Sequence, residues 1–264
     1  MVIWNFNNNE RLIMSSTPTQ NYTEPEYEGR ITLITSTGSL ELRNLTLNDN
    51  GTYGVSIAPV GEPPQVGSTR LDIYDVVESS SVSVFCSFSG SSLSFLWMNG
   101  SSEITANDRI QLNRTDGGSY LTILNVTQYD QGTYTCHVSN PGSSKNDLMT
   151  LLVKYGPENT QLSVSPLQED YEEGSDITLS CFSESRPPAE FTWFLNGEQL
   201  PHSGTELKLM KVQMSQKGSY TCRAFNHITE RDQTSQRTII VVSGKSEKCM
   251  LLLSLLLIVI IINN

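Results

Sequence analysis

The sequence predicts an all-β chain of three tandem two-sheet sandwiches, with an apolar tail at its C-terminal end. Three observations predict it. The first is a gapless internal repeat: LELRNLTLNDNGTYGV at 40–55, LTILNVTQYDQGTYTC at 121–136 and LKLMKVQMSQKGSYTC at 207–222. The copies lie 81 and 86 residues apart, a domain-sized period and not a solenoid period. The second is composition. Runs rich in Val, Ile, Thr and Tyr are separated by Gly, Ser, Asn and Asp turns, and helical periodicity is absent before the far end. The third is the spacing of four cysteines and two tryptophans. A chain of 264 residues is long enough for three such domains, each with its own core.

The second copy shows why the repeat reads as strand, corner and strand. Leu121 and Ile123 alternate as a half-buried strand, Val126 closes that run, and a tight turn carries Gly132. Tyr134 and Cys136 then share one face of the next strand, because side chains two apart point the same way. This is the E strand, E–F corner and F strand of an immunoglobulin (Ig) sandwich, with Tyr134 as the corner tyrosine and Tyr53 and Tyr220 in the same role. Trp97 lies 11 residues after Cys86, and Trp193 lies 12 after Cys181. The order Cys, Trp, Tyr-x-Cys pairs Cys86 with Cys136 and Cys181 with Cys222. A zinc site finds no ligand set, since there is no C-x-x-C and His137, His202 and His227 are scattered. Two disulfides require an oxidising compartment, so the chain is expected to be secreted or to face the cell exterior.

The distance from tryptophan to corner tyrosine separates the three domains. It is 49 residues from Trp4 to Tyr53, 37 from Trp97 to Tyr134 and 27 from Trp193 to Tyr220. The long first interval predicts two extra strands, C′ and C″, and hence a variable-like domain at 1–75. The second domain, 76–154, is intermediate, and the third, 155–242, is a short constant-type domain. A spacer follows at 243–249 and the apolar tail at 250–264. Arg30 is placed to reach Asp49, and Arg109 to reach Asp130, each pair closing the bottom of a variable-type sandwich. The third copy has Gln216 at the aspartate position and no matching arginine. Trp4 occupies the strand C position, so the first domain is expected to lack strands A and B. Val55 stands where the F-strand cysteine belongs, so that domain is expected to hold together without a disulfide.

On these residues the whole chain resembles the carcinoembryonic-antigen-related cell adhesion molecules. The matching stretches are GSLELRNLTLNDNGTYGVSI in the first domain and the junction LLVKYGPENTQLSVSP. In the third domain they are GSDITLSCFSESRPPAEFTWFLNG and GSYTCRAFNHI. That family has a variable-like first domain without a disulfide, followed by disulfide-bonded constant-type domains, and this chain is similar to an N-terminally incomplete member. The resemblance implies adhesion through the C–C′–F–G sheet of the first domain, which pairs with the same or related Ig-superfamily proteins on adjacent cells. Strand alternation turns Trp4, Val55 and Ile57 inward. It turns Asn5, Asn7, Gly54, Ser56 and Ala58 outward, with Arg70 and Asp72 on strand G. In RLIM, Leu12 or Met14 is expected as an exposed apolar contact. The alternative reading is an immune ligand or receptor ectodomain that binds an unrelated partner and signals through co-receptors.

Composition narrows the class. The net charge of −11 argues against nucleic acid and anionic membrane surfaces as partners. The chain carries no basic patch, phosphate loop or nucleophile motif, and NDNG is too short for a calcium loop. No enzyme activity, cofactor, metal or small-molecule substrate is therefore expected. Six N-x-[ST] sequons mark Asn21, Asn44, Asn50, Asn99, Asn113 and Asn125 as glycosylation candidates. Asn44 and Asn125 share one repeat position, and the third domain has none. Met1 is followed by VIWNFNNNERL, which has neither the basic start nor the apolar core of a signal peptide. At the other end, MLLLSLLLIVIII (250–262) is a 13-residue apolar run with no Lys or Arg after it. A spanning helix wants about 20 such residues. The tail therefore reads as a glycosylphosphatidylinositol (GPI) attachment signal, with Gly244 the preferred site and Ser243 the next, and a short transmembrane segment as the alternative. Either reading places the protein on the outer face of the cell membrane.

Overall fold

The computed structural model of the chain describes residues 1–7, 10–59 and 61–244. It is all-β, with Ig domains in tandem and single-turn 3-10 helices at the corners. Two compact units divide it, Met1–Val153 and Lys154–Asn264.

The first unit opens with β1 (Val2–Phe6), β2 (Arg11–Ser16), β3 (Asn21–Thr23), β4 (Ile31–Ile34), β5 (Ser39–Leu42), β6 (Gly51–Ile57) and β7 (Gln65–Val77). One sheet runs β3-β2-β1-β6-β7, and β4 pairs with β5 opposite it. β2 and β3 are the two extra strands that the long interval between Trp4 and Tyr53 accommodates. Trp4 pairs with Val55 and Phe6 with Tyr53. Directly opposed residues share a face, so Trp4, Phe6, Tyr53 and Val55 all look into the sandwich. Phe6, Ile13, Met14, Tyr27 and Tyr53 are buried there, against half-buried Leu40, Leu42 and Leu71. Phe6 meets Tyr53 edge to face, with centroids 5.1 Å apart. Met14 is thus no exposed contact, contrary to the expectation from alternation. The register of β2 on β1 shifts between Trp4 and Asn5, so that Met14 faces Trp4 and Leu12 faces Asn5 while Ile13 is the extra residue. A bulge of this kind breaks the period of two, and both Ile13 and Met14 turn inward.

The second sandwich comprises β8 (Val82–Ser87), β9 (Ser94–Asn99), β10 (Ser102–Glu103), β11 (Ile110–Thr115), β12 (Gly118–Ile123), β13 (Gly132–Asn140) and the first residues of β14 (Ser143–Ser165). Its sheets are β10-β9-β13-β14-β7 and β11-β12-β8. Cys86 and Cys136 form a disulfide across them, with Cα atoms 6.3 Å apart, beside buried Trp97. The buried cluster draws on β8, β9, β12, β13 and β14 with Ile104 and Val126, and half-buried Ile110 and Leu112 of β11 pack against it. It is far fuller than the first core. One reason is visible in the topology. β12 is flanked by β11 and β8, whereas among the described residues β5 has β4 alone.

In the second unit, the rest of β14 pairs with β16 (Ile177–Arg186), which pairs with β19 (Glu206–Leu209). β15 (Tyr171–Glu172) lies parallel to β23 (Val242–Ser243). The opposite sheet is β18 (Glu198–Ser203), β17 (Glu190–Leu195), β20 (Gly218–Asn226) and β21 (Arg231–Thr234), with β22 (Thr238–Ile240) also on β20. A Cys181–Cys222 disulfide crosses the core beside fully buried Trp193. The domain departs from the constant-type pattern in one strand. β18 folds back onto β17 and does not extend the sheet of β19. The cause is local. Asn196 and Gly197 join the two strands with φ of 52° and 89°. Two central residues at positive φ make the hairpin turn whose twist returns a strand to its neighbour.

Candidate binding face

A shared framework holds all three corners. The tyrosine hydroxyls of Tyr53, Tyr134 and Tyr220 each donate to a backbone carbonyl four residues earlier, on Asp49, Asp130 and Gln216, at 2.7 Å. Burial pushes the Tyr134 and Tyr220 phenols up to about 12. Burial first, and then the Asp49 carboxylate, lifts Tyr53 far above the usual range. Arg30 Nη2 donates to Asp49 Oδ2 at 2.6 Å, and Arg109 Nη2 donates to Asp130. Each aspartate also accepts from a threonine three residues back. Thr46 gives its N–H and hydroxyl to Asp49, and Thr127 does the same to Asp130. Gln216 repeats the cap without charge by accepting the Gln213 N–H. These threonines were not singled out by sequence, although T-x-x-D in two copies is the readable signal of a cap.

The same framework answers what Val55 replaces. It opposes Trp4 as Cys136 opposes Trp97 and Cys222 opposes Trp193. The valine therefore sits at the F-strand disulfide position by register, not by sequence alignment alone. Each tryptophan is anchored by its indole N–H, to Gly38 O, Ser119 Oγ and Gly204 O, all at 2.9 Å.

The outer face of β2, β1, β6 and β7 is built from two cross-strand rows. One is Ser15, Ile3, Ser56 and Val66; the other is Leu12, Asn5, Gly54 and Ser68. None of these side chains is charged. Val66 is 80% exposed, and the rows enclose a shallow depression of about 540 Å³. Asn5, Ser56 and Leu12 belong to this face. Ala58 follows β6 and donates its N–H to Met1 O. Asn7 does not belong to it. Its φ is 49°, and its Oδ1 accepts the Thr52 N–H at 3.2 Å, so it holds a turn. Asn196 does the same for Ser219 N–H in the third domain. Ile3 and Val66 were missed. Ile3 follows from alternation with Asn5, while Val66 requires the register of β7, which the sequence of the preceding loop leaves open. Arg70 and Asp72 pair with each other at 2.7 Å.

All six sequon asparagines are exposed. Asn44 and Asn125 have φ of 52° and 49°, which suits asparagine at the corner they share. Ser243 ends β23 and Gly244 follows it, exposed. Among the described residues no helix is long and apolar enough to cross a membrane. The apolar tail at 250–264 and most of the spacer lie outside the described residues.

Comparison with known proteins identifies the class. Residues 67–153 match the immunoglobulin I-set domain, and residues 160–226 match a second immunoglobulin domain family. The chain is therefore built of immunoglobulin-superfamily domains. Among solved structures, it is similar to the N-terminal four Ig domains of a Dscam1 isoform, at 16% identity and TM-score 0.42 over 92% of this chain and 66% of that one. A three-Ig titin fragment aligns at 19% identity and TM-score 0.44, covering 92% of this chain and 88% of the fragment. The chain thus spans about two thirds of the Dscam1 fragment's length.

Proposed function

We propose that the chain is a cell-surface adhesion and recognition protein of the type of the carcinoembryonic-antigen-related molecules, binding through the outer face of β2, β1, β6 and β7. The observation that carries this is the absence of charge from the two rows around Ile3 and Val66. In a chain of net charge −11, two copies approaching elsewhere meet like-charge repulsion. This face lets them meet without it, and offers exposed apolar surface at its centre. No sequon lies on β1, β6 or β7, so a sugar attached to those strands does not cover it. The partner is the same face of a second copy or of a related Ig protein on an adjacent cell. The two disulfides fit an oxidising, extracellular setting. The tail beyond Gly244 serves as a GPI attachment signal, which is removed as the lipid anchor is joined to Gly244. Cells displaying the chain are expected to cluster, and Ser56→Arg or Val66→Asp to abolish clustering while surface display is unchanged. Clustering that survives both substitutions refutes this face. Binding confined to a second cell type that lacks the chain supports the immune ligand or receptor instead.

A further inference from the structure

Two large aromatic side chains stand on the outer face of the β11-β12-β8 sheet, away from both the core and the proposed adhesive face. Phe85 of β8 is 41% exposed and Tyr120 of β12 is 37% exposed. They oppose each other across the strands and stack, with ring centroids 4.3 Å apart and planes 29° from parallel. The Phe85 ring also leans over Gly118, where an added Cβ would come within 2.6 Å of it. The result is a flat apolar shelf two residues wide on an otherwise polar surface. The residue directly opposite Tyr120 on the third strand is Asn113, exposed and the acceptor of a sequon. One cross-strand row therefore reads Asn113, Tyr120, Phe85.

Asn113 differs from Asn44 and Asn125 in having no backbone reason to be there. Those two occupy left-handed corners, where asparagine is favoured. Asn113 sits mid-strand, where asparagine is disfavoured. Directly opposed side chains in a sheet have Cβ atoms about 5 Å apart. A sugar on Asn113 thus begins within reach of the Tyr120 ring and extends toward Phe85. The C–H face of an N-acetylglucosamine is apolar and matches an aromatic face in size and character.

We infer that Asn113 carries an N-linked glycan whose first N-acetylglucosamine residues lie on the Tyr120–Phe85 shelf. The inference rests on the extracellular reading above but not on the adhesive face. The glycan covers apolar surface that a soluble domain otherwise leaves exposed, and it fixes the sugar over the β11-β12-β8 face of the second domain.

The test is the full chain produced in glycosylating cells. Glycopeptide mass spectrometry is expected to find Asn113 occupied. Occupancy at Asn44 or Asn125 without Asn113 overturns the inference while leaving the extracellular reading intact; no occupancy anywhere overturns both. Trimming to single N-acetylglucosamines and recording the N-acetyl methyl resonances then reads the contact itself. The Asn113 methyl is expected to shift upfield from the ring currents, to keep that shift in Tyr120→Phe, and to lose most of it in Tyr120→Ser. An unshifted methyl in the parent chain overturns the stacking, as does a shift that Tyr120→Ser leaves unchanged.

Discussion

At the residue scale the E–F corner of the first two domains is a unit of four groups, tyrosine, arginine, aspartate and threonine, of which the third domain keeps the tyrosine, and its chemistry can be tested group by group. The raised tyrosine values belong to the folded state. Stability from the protonated phenol is present in full below the ordinary value of about 10 and is lost as pH rises through about 12. Urea midpoints for the second and third domains are expected to fall across that window, and the fall to shrink for each domain in Tyr134→Phe and Tyr220→Phe. Near neutral pH each of these substitutions removes one hydroxyl-to-carbonyl bond, a loss of about 1 kcal/mol. Asp49 is the heavier member, accepting from Arg30 and twice from Thr46 while 4% exposed. Asp49→Ala strands the arginine and uncaps the corner, so about 2–3 kcal/mol of loss is expected in urea titration. The uncharged cap makes Gln216→Ala milder, about 1 kcal/mol. Most of this corner was legible, because tyrosine, glycine and aspartate recur in one register. Asn7 and Met14 were not. A side chain that accepts a hydrogen bond from a strand 45 residues away, and a bulge that adds one residue to a strand, leave no mark on local alternation.

At the element scale two glycines do opposite work. Gly197 has open space around it and a φ of 89°. Gly197→Ala is expected to cost about 1 kcal/mol through backbone strain alone and to leave the β17–β18 hairpin in place. Gly118 is constrained by contact, since an added Cβ would sit 2.3 Å from the Cys86 carbonyl oxygen. Gly118→Ala must push β8 from β12, and thermal denaturation is expected to show the larger loss there. Strand order was readable where the repeat supplies a template, as for β5, β12 and β19 before their corners. At β18 the repeat supplies no template, and the signal is carried by the Asn196-Gly197 dipeptide instead. The choice between the two sheets hangs on an Asn-Gly turn, whose handedness is a matter of φ and not of hydrophobic pattern.

At the scale of the whole molecule, stability is distributed unevenly. Disulfides closing loops of 50 and 41 residues are each worth about 4 kcal/mol in the chain-entropy model. Reductant is therefore expected to lower the denaturation midpoints of the second and third domains and to leave the first unchanged, as Tyr53 fluorescence or hydrogen exchange in β6 would report. A shift of the first domain equal to the others would mean that it folds only as an extension of the second. The tandem architecture was legible at this scale from the period alone.

The two-stranded sheet of β4 and β5 carries one more consequence. β12 and its counterpart β19 each have a partner on the side where β5 has none among the described residues. Leu40 and Leu42 lie beneath that rim, beside a slot of about 150 Å³ that also touches Trp4 and Leu71. Backbone groups of Ser39 to Leu42 on that side are placed to pair with an extended segment, and apolar residues at every second position of such a segment would fill the slot, whether it comes from this protein or from another.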